Sequence, residues 1–492
     1  MSTFRLSKSK ILAGLQCPKR LYLQTHHPEL VQESASAQAR FAQGNLLGEV
    51  ARTLYEGGFL IGHDDALGLA LAETRTVLSD RSARTVFEAT FEHGGVLVRA
   101  DVLAREEDGT YRMVEVKSST SVKPYHLQDC AVQSWVVNGA GYPLKRVELA
   151  HVDSSFVYEG NGNYQGLLSH NDVTSDILPL MEQVPIWIKS FQEMLAGPMP
   201  PIAAGDQCRS PYECPFLNHC ALPKSEYPVT ILPYAGNLAR ELENSGIRDI
   251  RDIPEGRLVK DVHQRVRRAT LANTYELDAE AREKVAALPY PRYYLDYETI
   301  QFVVPEWAGT RPYEQLPFQW SCHIEHEDGT LTHQEFLDTT GNSPMRAFAQ
   351  RLIEGLGNSG PILVYNIGFE RSRTQELATR FPDLADALNA ISDRMVDLLP
   401  IARQHYYHPA MKGSWSIKAV LPTIAPELDY SRLDEVQDGG MAQGAYLEMI
   451  HPEAPDDRRT KLASSLREYC KLDTFAMVRV AHFFEGRQSV AE

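Results

Sequence analysis

The chain has 492 residues, 43% of them hydrophobic and 23% charged, with a formal net charge of -16 at neutral pH. That length exceeds what one core sustains, so two domains and a connector are expected, and the ordinary composition excludes a disordered or coiled-coil protein. The acidic balance excludes a protein that coats nucleic acid nonspecifically, which needs Lys and Arg, yet it leaves room for acidic metal sites beside a local basic groove.

The opening MSTFRLSKSKILAGLQCPKR carries positive charge but only a short apolar run before Cys17, unlike a secretory signal. No apolar stretch approaches the roughly 18 residues of a membrane span, so a soluble, cytoplasmic protein with no membrane partner is expected. There the seven cysteines stay reduced, and clustered thiols are metal ligands more often than disulfides.

Residues 84–118 alternate as strands, RTVFEATFEHGG and then VLVRADVLAREEDGTYRMVEVKSS, with EEDGT as a hairpin turn. Asp101 sits on one strand, and Glu115 and Lys117, two apart on the next, share a face. Two carboxylates and a lysine on adjacent strands suit a hard divalent cation and a water attacking a phosphate; the plainer reading is a strand face bearing an ion pair. An amphipathic helix follows from about 124 to 140.

After a Pro/Gly/Ala loop at 198–207 comes CRSPYECPFLNHC, which supplies Cys208, Cys214 and Cys220. Next, LARELENSGIRDIRDIP reads as a small helical hairpin, either a nucleic-acid contact or a spacer, and KDVHQRVRR (260–268) as a phosphate contact or a solvated helix face.

In YYLDYETI, Asp296 and Glu298 share one strand face and Leu295 and Tyr297 the other; ILVYNIGFE ends a strand with Asn366 and Glu370. In the helical REYCKLDTFAMVRV, Tyr469 and Asp473 lie four apart on one face. Four converging carboxylates repel unless cations sit between them, which points to two Mg²⁺ or Mn²⁺ ions about 4 Å apart. Lys412, Lys418 and Arg432 with Tyr406, Tyr407 and Trp415 read either as a surface for single strands or as a packed helix start. Cys130, Cys322 and Cys470 are expected in cores. No Gly-x4-Gly-Lys-Ser/Thr loop is present, so no motor is visible and a helicase would be a separate partner.

Asp101, Glu115-x-Lys117 and Gln133 on the following helix, in that order, resemble the RecB-like branch of the PD-(D/E)XK nucleases. The resemblance implies that Gln133 positions substrate. Two positions depart from it: Val137 replaces a tyrosine, and in GNLLGEVA (44–51) Gly48 stands where a histidine is expected, with Glu49 beside it as a substitute metal ligand. Members of this branch that hold an iron-sulfur cluster have one remote cysteine and three after the core. The resemblance thus implies Cys17, Cys208, Cys214 and Cys220 as ligands of a [4Fe-4S] cluster. Structural zinc, whose ligands usually come in close pairs, is the rival.

The second set, Asp-x-Glu, Asn-x2-Phe-acid and Tyr-x3-Asp, resembles the DEDD 3′-5′ exonucleases. It implies an RNase H-like fold, Asp296, Glu298, Glu370 and Asp473 as metal ligands, and Tyr469 orienting water; Glu370 departs from the usual aspartate. Both halves together, with YYHPAMKGSWSIKAVLPTIAPELDYSRL (406–433), resemble an uncharacterised bacterial two-nuclease family.

The expected architecture is α/β: a PD-(D/E)XK restriction-endonuclease-like domain at 1–222, a helical connector at 223–288 and an RNase H-like exonuclease domain at 289–492. The expected activity is Mg²⁺- or Mn²⁺-dependent hydrolysis of DNA, single-stranded or at ends. The alternatives are RNA processing and a nucleic-acid-binding protein with one or both sites inactive. Protein purified without oxygen should be brown, with a visible absorption band that dithionite bleaches; stoichiometric zinc without iron is the contrary result.

Overall fold

The computed structural model describes residues 4–32, 35–62, 66–221 and 225–487. They form two compact units of mixed α/β structure: Met1–Pro223 with Phe302–Tyr313, and Lys224–Gln301 with Glu314–Glu492. The expected boundary at residue 222 lies outside the described residues. Among the described residues no helix is long and apolar enough to cross a membrane.

The first unit's strands are β1 (Leu6–Ser7), β2 (Phe59–Leu60), β3 (Thr85–His93), β4 (Val96–Arg105), β5 (Tyr111–Lys117), β6 (Leu144–Val152) and β7 (Leu168–Asp172). They run in the order β2-β3-β4-β5-β6-β7, with β1 added alongside β4. Strand β4 alternates as period-2 burial requires, with Val96, Val98, Ala100 and Val102 inside. The expected hairpin turns at Gly109, whose φ of +85° only glycine adopts easily, and Asp108 Oδ1 accepts the Thr110 N–H at 3.1 Å. Antiparallel register pairs Val102 with Val114, so Asp101 faces Glu115 one step on.

Helix Pro124–Gly139, close to the expected span, starts on a proline suited to a first turn and crosses from β5 to the parallel β6. It buries Cys130, Ala131, Val132, Val136 and Val137 in the core, so the valine at the tyrosine position is a packing residue. Helices Lys8–Gln16 and Thr174–Ala196 pack against it.

The second unit's strands are β8 (Glu276–Leu277), β9 (Arg292–Ile300), β10 (Leu316–Glu325), β11 (Leu331–Leu337), β12 (Ile362–Val364), β13 (Met395–Asp397) and β14 (Tyr406–Tyr407). The main sheet has the order β11-β10-β9-β12-β13, and β14 pairs with β8. Strands β10 and β11 are antiparallel additions on one side of β9, while β12 and β13 are parallel on the other. The helix Asp456–Glu485, longer than its sequence signal, lies on β9 and β10.

Three expectations need correction. Strand β12 stops at Val364: Asn366 takes φ +87°, and Glu370 lies in the helix Gly368–Arg380. The stretch expected as a separate connector shares its core with the second unit, where Leu242, Ile250, Ile253 and Val266 pack with Leu398 and Tyr406. Within it, the second short helix is a single turn of 3₁₀ helix, Ile250–Asp252. Finally, Tyr406 and Tyr407 are 0% exposed and Trp415 5%, with the Trp415 indole donating to the Tyr406 carbonyl at 2.7 Å, so no stacking surface forms from them. Their apolar bulk is worth more inside the core than on a wet surface.

At the start of β9 Arg292, 1% exposed, donates to Glu485 at 2.7 Å and to the Leu288 and Val285 carbonyls at 2.8 and 3.1 Å. Removing one partner of a buried pair strands the other charge. Arg292→Ala should therefore lower stability by about 3–5 kcal/mol in urea unfolding, whereas Lys189→Ala, from an exposed pair, should leave the midpoint unchanged.

Candidate active sites

In the first unit β4, β5 and helix Pro124–Gly139 bring Asp101, Glu115, Lys117 and Gln133 together, as their order implied. Glu115 is 1% exposed, and both its oxygens are engaged: Oε1 accepts from Lys117 Nζ at 2.6 Å and from Lys8 Nζ at 2.8 Å, and Oε2 accepts from Gln133 Nε2 at 2.6 Å. Asp129, missed in the sequence, accepts from Lys117 at 2.6 Å and from Gln133 at 3.0 Å. It stands four residues before Gln133, so helical periodicity placed it on the same face. Lys8 had no such signal.

Burial would lower the Lys117 pKa, but Asp129, Glu115 and Asp101 outweigh it and hold the ammonium well above its ordinary value. Burial pushes Asp101 up to about 7, with the Glu115 charge adding to the effect, while Asp101 Oδ2 accepts the Val116 N–H at 2.7 Å. Burial opposes ionisation of Asp129, yet Lys117 and Lys8 pull its pKa down. These groups line a cleft of about 2110 Å³ whose walls also carry Arg20, Arg52, Lys123, Tyr125 and Tyr212. Glu49 lines the same cleft but is exposed, and a Cβ built on Gly48 meets no atom within 4 Å.

Cys17 and the downstream triplet are neighbours in this unit. Gln16 donates to the carbonyls of Gln207 and Tyr212 at 2.6 and 2.8 Å, and Lys19 to that of Ile202 at 3.3 Å, so the residues flanking Cys17 grip the cysteine loop. Cys17, Cys208 and Cys214 are buried, with Cys214 and Phe216 in one small apolar cluster, and Cys220 is half-buried. Burial raises the thiols of Cys214 and Cys220, which Arg20 and Lys19 respectively pull back towards the thiolate. The described residues contain no disulfide and no three sulfurs within 4.8 Å of one another, whereas Zn–S bonds of about 2.3 Å imply sulfurs about 3.8 Å apart. Cys130, Cys322 and Cys470 are fully buried, as expected.

The second unit gathers acids more tightly. Asp296 and Glu298 from β9 and Asp473 from the helix Asp456–Glu485 bring one ligand oxygen each within 4.8 Å of one another, the one such group among the described residues. Glu370 stands outside that triple, 3% exposed, with a buried Oε2 that has no hydrogen-bond partner. Its charge nonetheless raises Asp296 and Glu298. Burial and then mutual repulsion push Asp296 well above the carboxylate range and Glu298 up to about 8. Burial pushes Glu370 up to about 8 and Asp473 up to about 6.

Around them stand residues with no sequence signal for these roles. Tyr430 donates to Asp473 at 2.5 Å, and Lys418 Nζ donates to the Tyr469 hydroxyl at 3.0 Å and to the Gln437 carbonyl at 3.0 Å. Cys470 places its sulfur 3.8 Å from Asp296 Oδ2, although only core packing was expected of it. Asp397 accepts from the N–H groups of Asn366 and Ile367 at 3.0 and 3.1 Å, which fixes the turn that launches the Glu370 helix. The three hard acid oxygens of Asp296, Glu298 and Asp473 are of the kind that fits Mg²⁺ or Mn²⁺.

A family model described as a domain of unknown function (DUF2779) matches residues 293–416, a span that includes Asp296, Glu298 and Glu370 but not Asp473. The uncharacterized protein UU173 of Ureaplasma parvum is 26% identical over 238 residues, 43% of this chain and 34% of that protein. The uncharacterized MG366 homolog of Mycoplasma pneumoniae is 28% identical over 210 residues, 39% of this chain and 32% of that one. The matches thus span about a third of these curated relatives' length. A crystal structure of SSO0001 aligns with 38% of this chain and 78% of its own at 14% identity and a TM-score of 0.20.

Carboxylates held above their ordinary value near 4.5 bind more protons folded than unfolded, so they lower stability as pH rises through the window from there to about 8. The melting temperature of metal-free protein should fall from about pH 5 to about pH 8, and Mn²⁺ should raise it more at the upper end. Asp296→Asn should weaken both trends in a thermal melt.

Proposed function

We propose that the protein is a metal-dependent nuclease that hydrolyses DNA phosphodiester bonds from strand ends at the second unit's acidic centre. The convergence of Asp296, Glu298 and Asp473 carries this reading. The sheet order β11-β10-β9-β12-β13, with its antiparallel and parallel sides, supports the RNase H-like layout that the DEDD resemblance implies.

Bound between these acids, two Mg²⁺ or Mn²⁺ ions would supply the Lewis acidity for attack and for departure of the leaving oxygen. The chain's own groups do the positioning. Tyr469 orients the attacking water, and Lys418 holds the Tyr469 hydroxyl in place and adds positive charge where the phosphate's charge grows. Tyr430 fixes the Asp473 carboxylate. Glu370, a methylene longer than aspartate, reaches in from the start of its helix.

The first unit's cleft would hold a strand, with Lys123 and Arg52 facing phosphates and Tyr125 and Tyr212, whose rings meet edge-on at 5.0 Å, facing bases. The occupancy of Glu115 by two lysines favours the second reading, in which this centre binds without cleaving. Cys17, Cys208, Cys214 and Cys220 would carry a [4Fe-4S] cluster that ties the chain's start to the cleft wall. A helicase would come from a separate chain.

The test uses single-stranded DNA and matched RNA, labelled at one end or the other, with Mg²⁺ or Mn²⁺. Shortening from the 3′ end of DNA is expected, with Asp296→Ala and Asp473→Ala each slowing it by about 10²–10³-fold or more. Digestion at the original rate by both variants refutes the assignment, and selective loss of RNA would make RNA the substrate.

A further inference from the structure

We propose that Lys8 is the built-in cation of the first centre: its ammonium takes Glu115 Oε1, an oxygen that a divalent ion shared with Asp101 would need, so this centre holds no Mg²⁺ or Mn²⁺. The residues expected to ligate a metal there do not fit one, and the reason lies in the chain's own hydrogen bonds.

Lys8 reaches Glu115 from 107 positions away, on a backbone that is fixed before it. Strand β1 pairs Leu6 with Val96 and Ser7 with Leu97 of β4, and the Leu6 N–H donates to the Gly95 carbonyl at 3.1 Å. Ser7 then caps the helix Lys8–Gln16 by accepting the Lys10 N–H at 3.3 Å, which makes Lys8 its first residue. From there Nζ lies 2.8 Å from Glu115 Oε1 and 3.6 Å from Asp129 Oδ1.

Lys117 adds a second ammonium, 2.6 Å from both Glu115 Oε1 and Asp129 Oδ2, and Gln133 bonds Glu115 Oε2. Both Glu115 oxygens are thus taken by donors, and one Asp101 oxygen by the Val116 N–H. Magnesium asks for near-octahedral oxygens at about 2.0–2.1 Å and would compete with two ammonium groups for Glu115 Oε1. At the expected third ligand, Gly48 offers no side chain, and Glu49 lines the cleft as an exposed residue.

The second centre has the opposite balance. Three carboxylates gather there, and Lys418 spends its hydrogen bonds on Tyr469 and the Gln437 carbonyl instead of on the acids. The same chain therefore contains one acidic centre closed by lysines and one open to ions.

The test counts bound Mn²⁺ per full-length chain, from the electron paramagnetic resonance signal of the free ion, together with a thermal melt. Wild type and Glu115→Gln should bind the same number. Lys8→Met should gain about one ion per chain, and adding Glu115→Gln should remove that gain. A lower count in Glu115→Gln alone overturns the proposal, as does a folded Lys8→Met that gains nothing. Should Lys8→Met fail to fold, the comparison of wild type with Glu115→Gln decides. Asp296→Asn serves as the separate arm: an undiminished count there refutes the hydrolytic centre proposed above and leaves the role of Lys8 standing.

Discussion

Like charges buried together set the terms on which the second unit works. Two unit charges about 4 Å apart interact by roughly 4 kcal/mol at an effective dielectric of 20, and Asp296, Glu298 and Asp473 bring three carboxylates within 4.8 Å of one another. A fold can relieve such crowding by retaining protons, by recruiting internal cations or by binding external ones. The raised pKa values of Glu298 and Glu370 are the first response, and the divalent ions proposed above would be the third. The surrounding sheet, the helix Asp456–Glu485 and the buried Arg292–Glu485 pair make the crowding bearable, because they hold the acids where an ion can bridge them.

The first unit shows the second response. Lys8 and Lys117 bring two ammonium groups to Glu115 and Asp129, and Gln133 bonds what remains. Acids on a strand pair in one unit and on one strand and a helix in the other thus reach a different balance, and the difference turns on Lys8 and Lys117. Under the function proposed above, the centre whose charge is settled internally would grip a strand and the one left in deficit would recruit ions.

Much of this was legible from local pattern. Period-2 alternation located β4 and β5 and put Glu115 and Lys117 on one face, and period-3.6 spacing put Tyr469 beside Asp473. Asp296 and Glu298 emerge from β9 opposite Leu295 and Tyr297, as alternation requires, with both apolar partners buried. Contacts without a local period were not legible. Lys8 meets Glu115 across 107 positions, Tyr430 meets Asp473 across 43, and Lys418 meets Tyr469 across 51, all fixed by how elements pack. Tyr406, Tyr407 and Trp415 misled for a related reason: aromatics beside lysines look the same in sequence whether they face water or the core. Asn366, at φ +87°, ended its strand early because it turns the chain into the helix that carries Glu370.

The cysteines extend the same lesson. Cys17 has no local reason to meet Cys208, Cys214 and Cys220; Gln16 and Lys19 bring it there by bonding to the loop's backbone. A crystal of the full chain grown with Mn²⁺ and measured for anomalous scattering tests the central claim most directly. Manganese peaks between Asp296, Glu298 and Asp473, with none between Asp101 and Glu115, are the expected result. Peaks at Asp101 and Glu115, with the second centre empty, would contradict it.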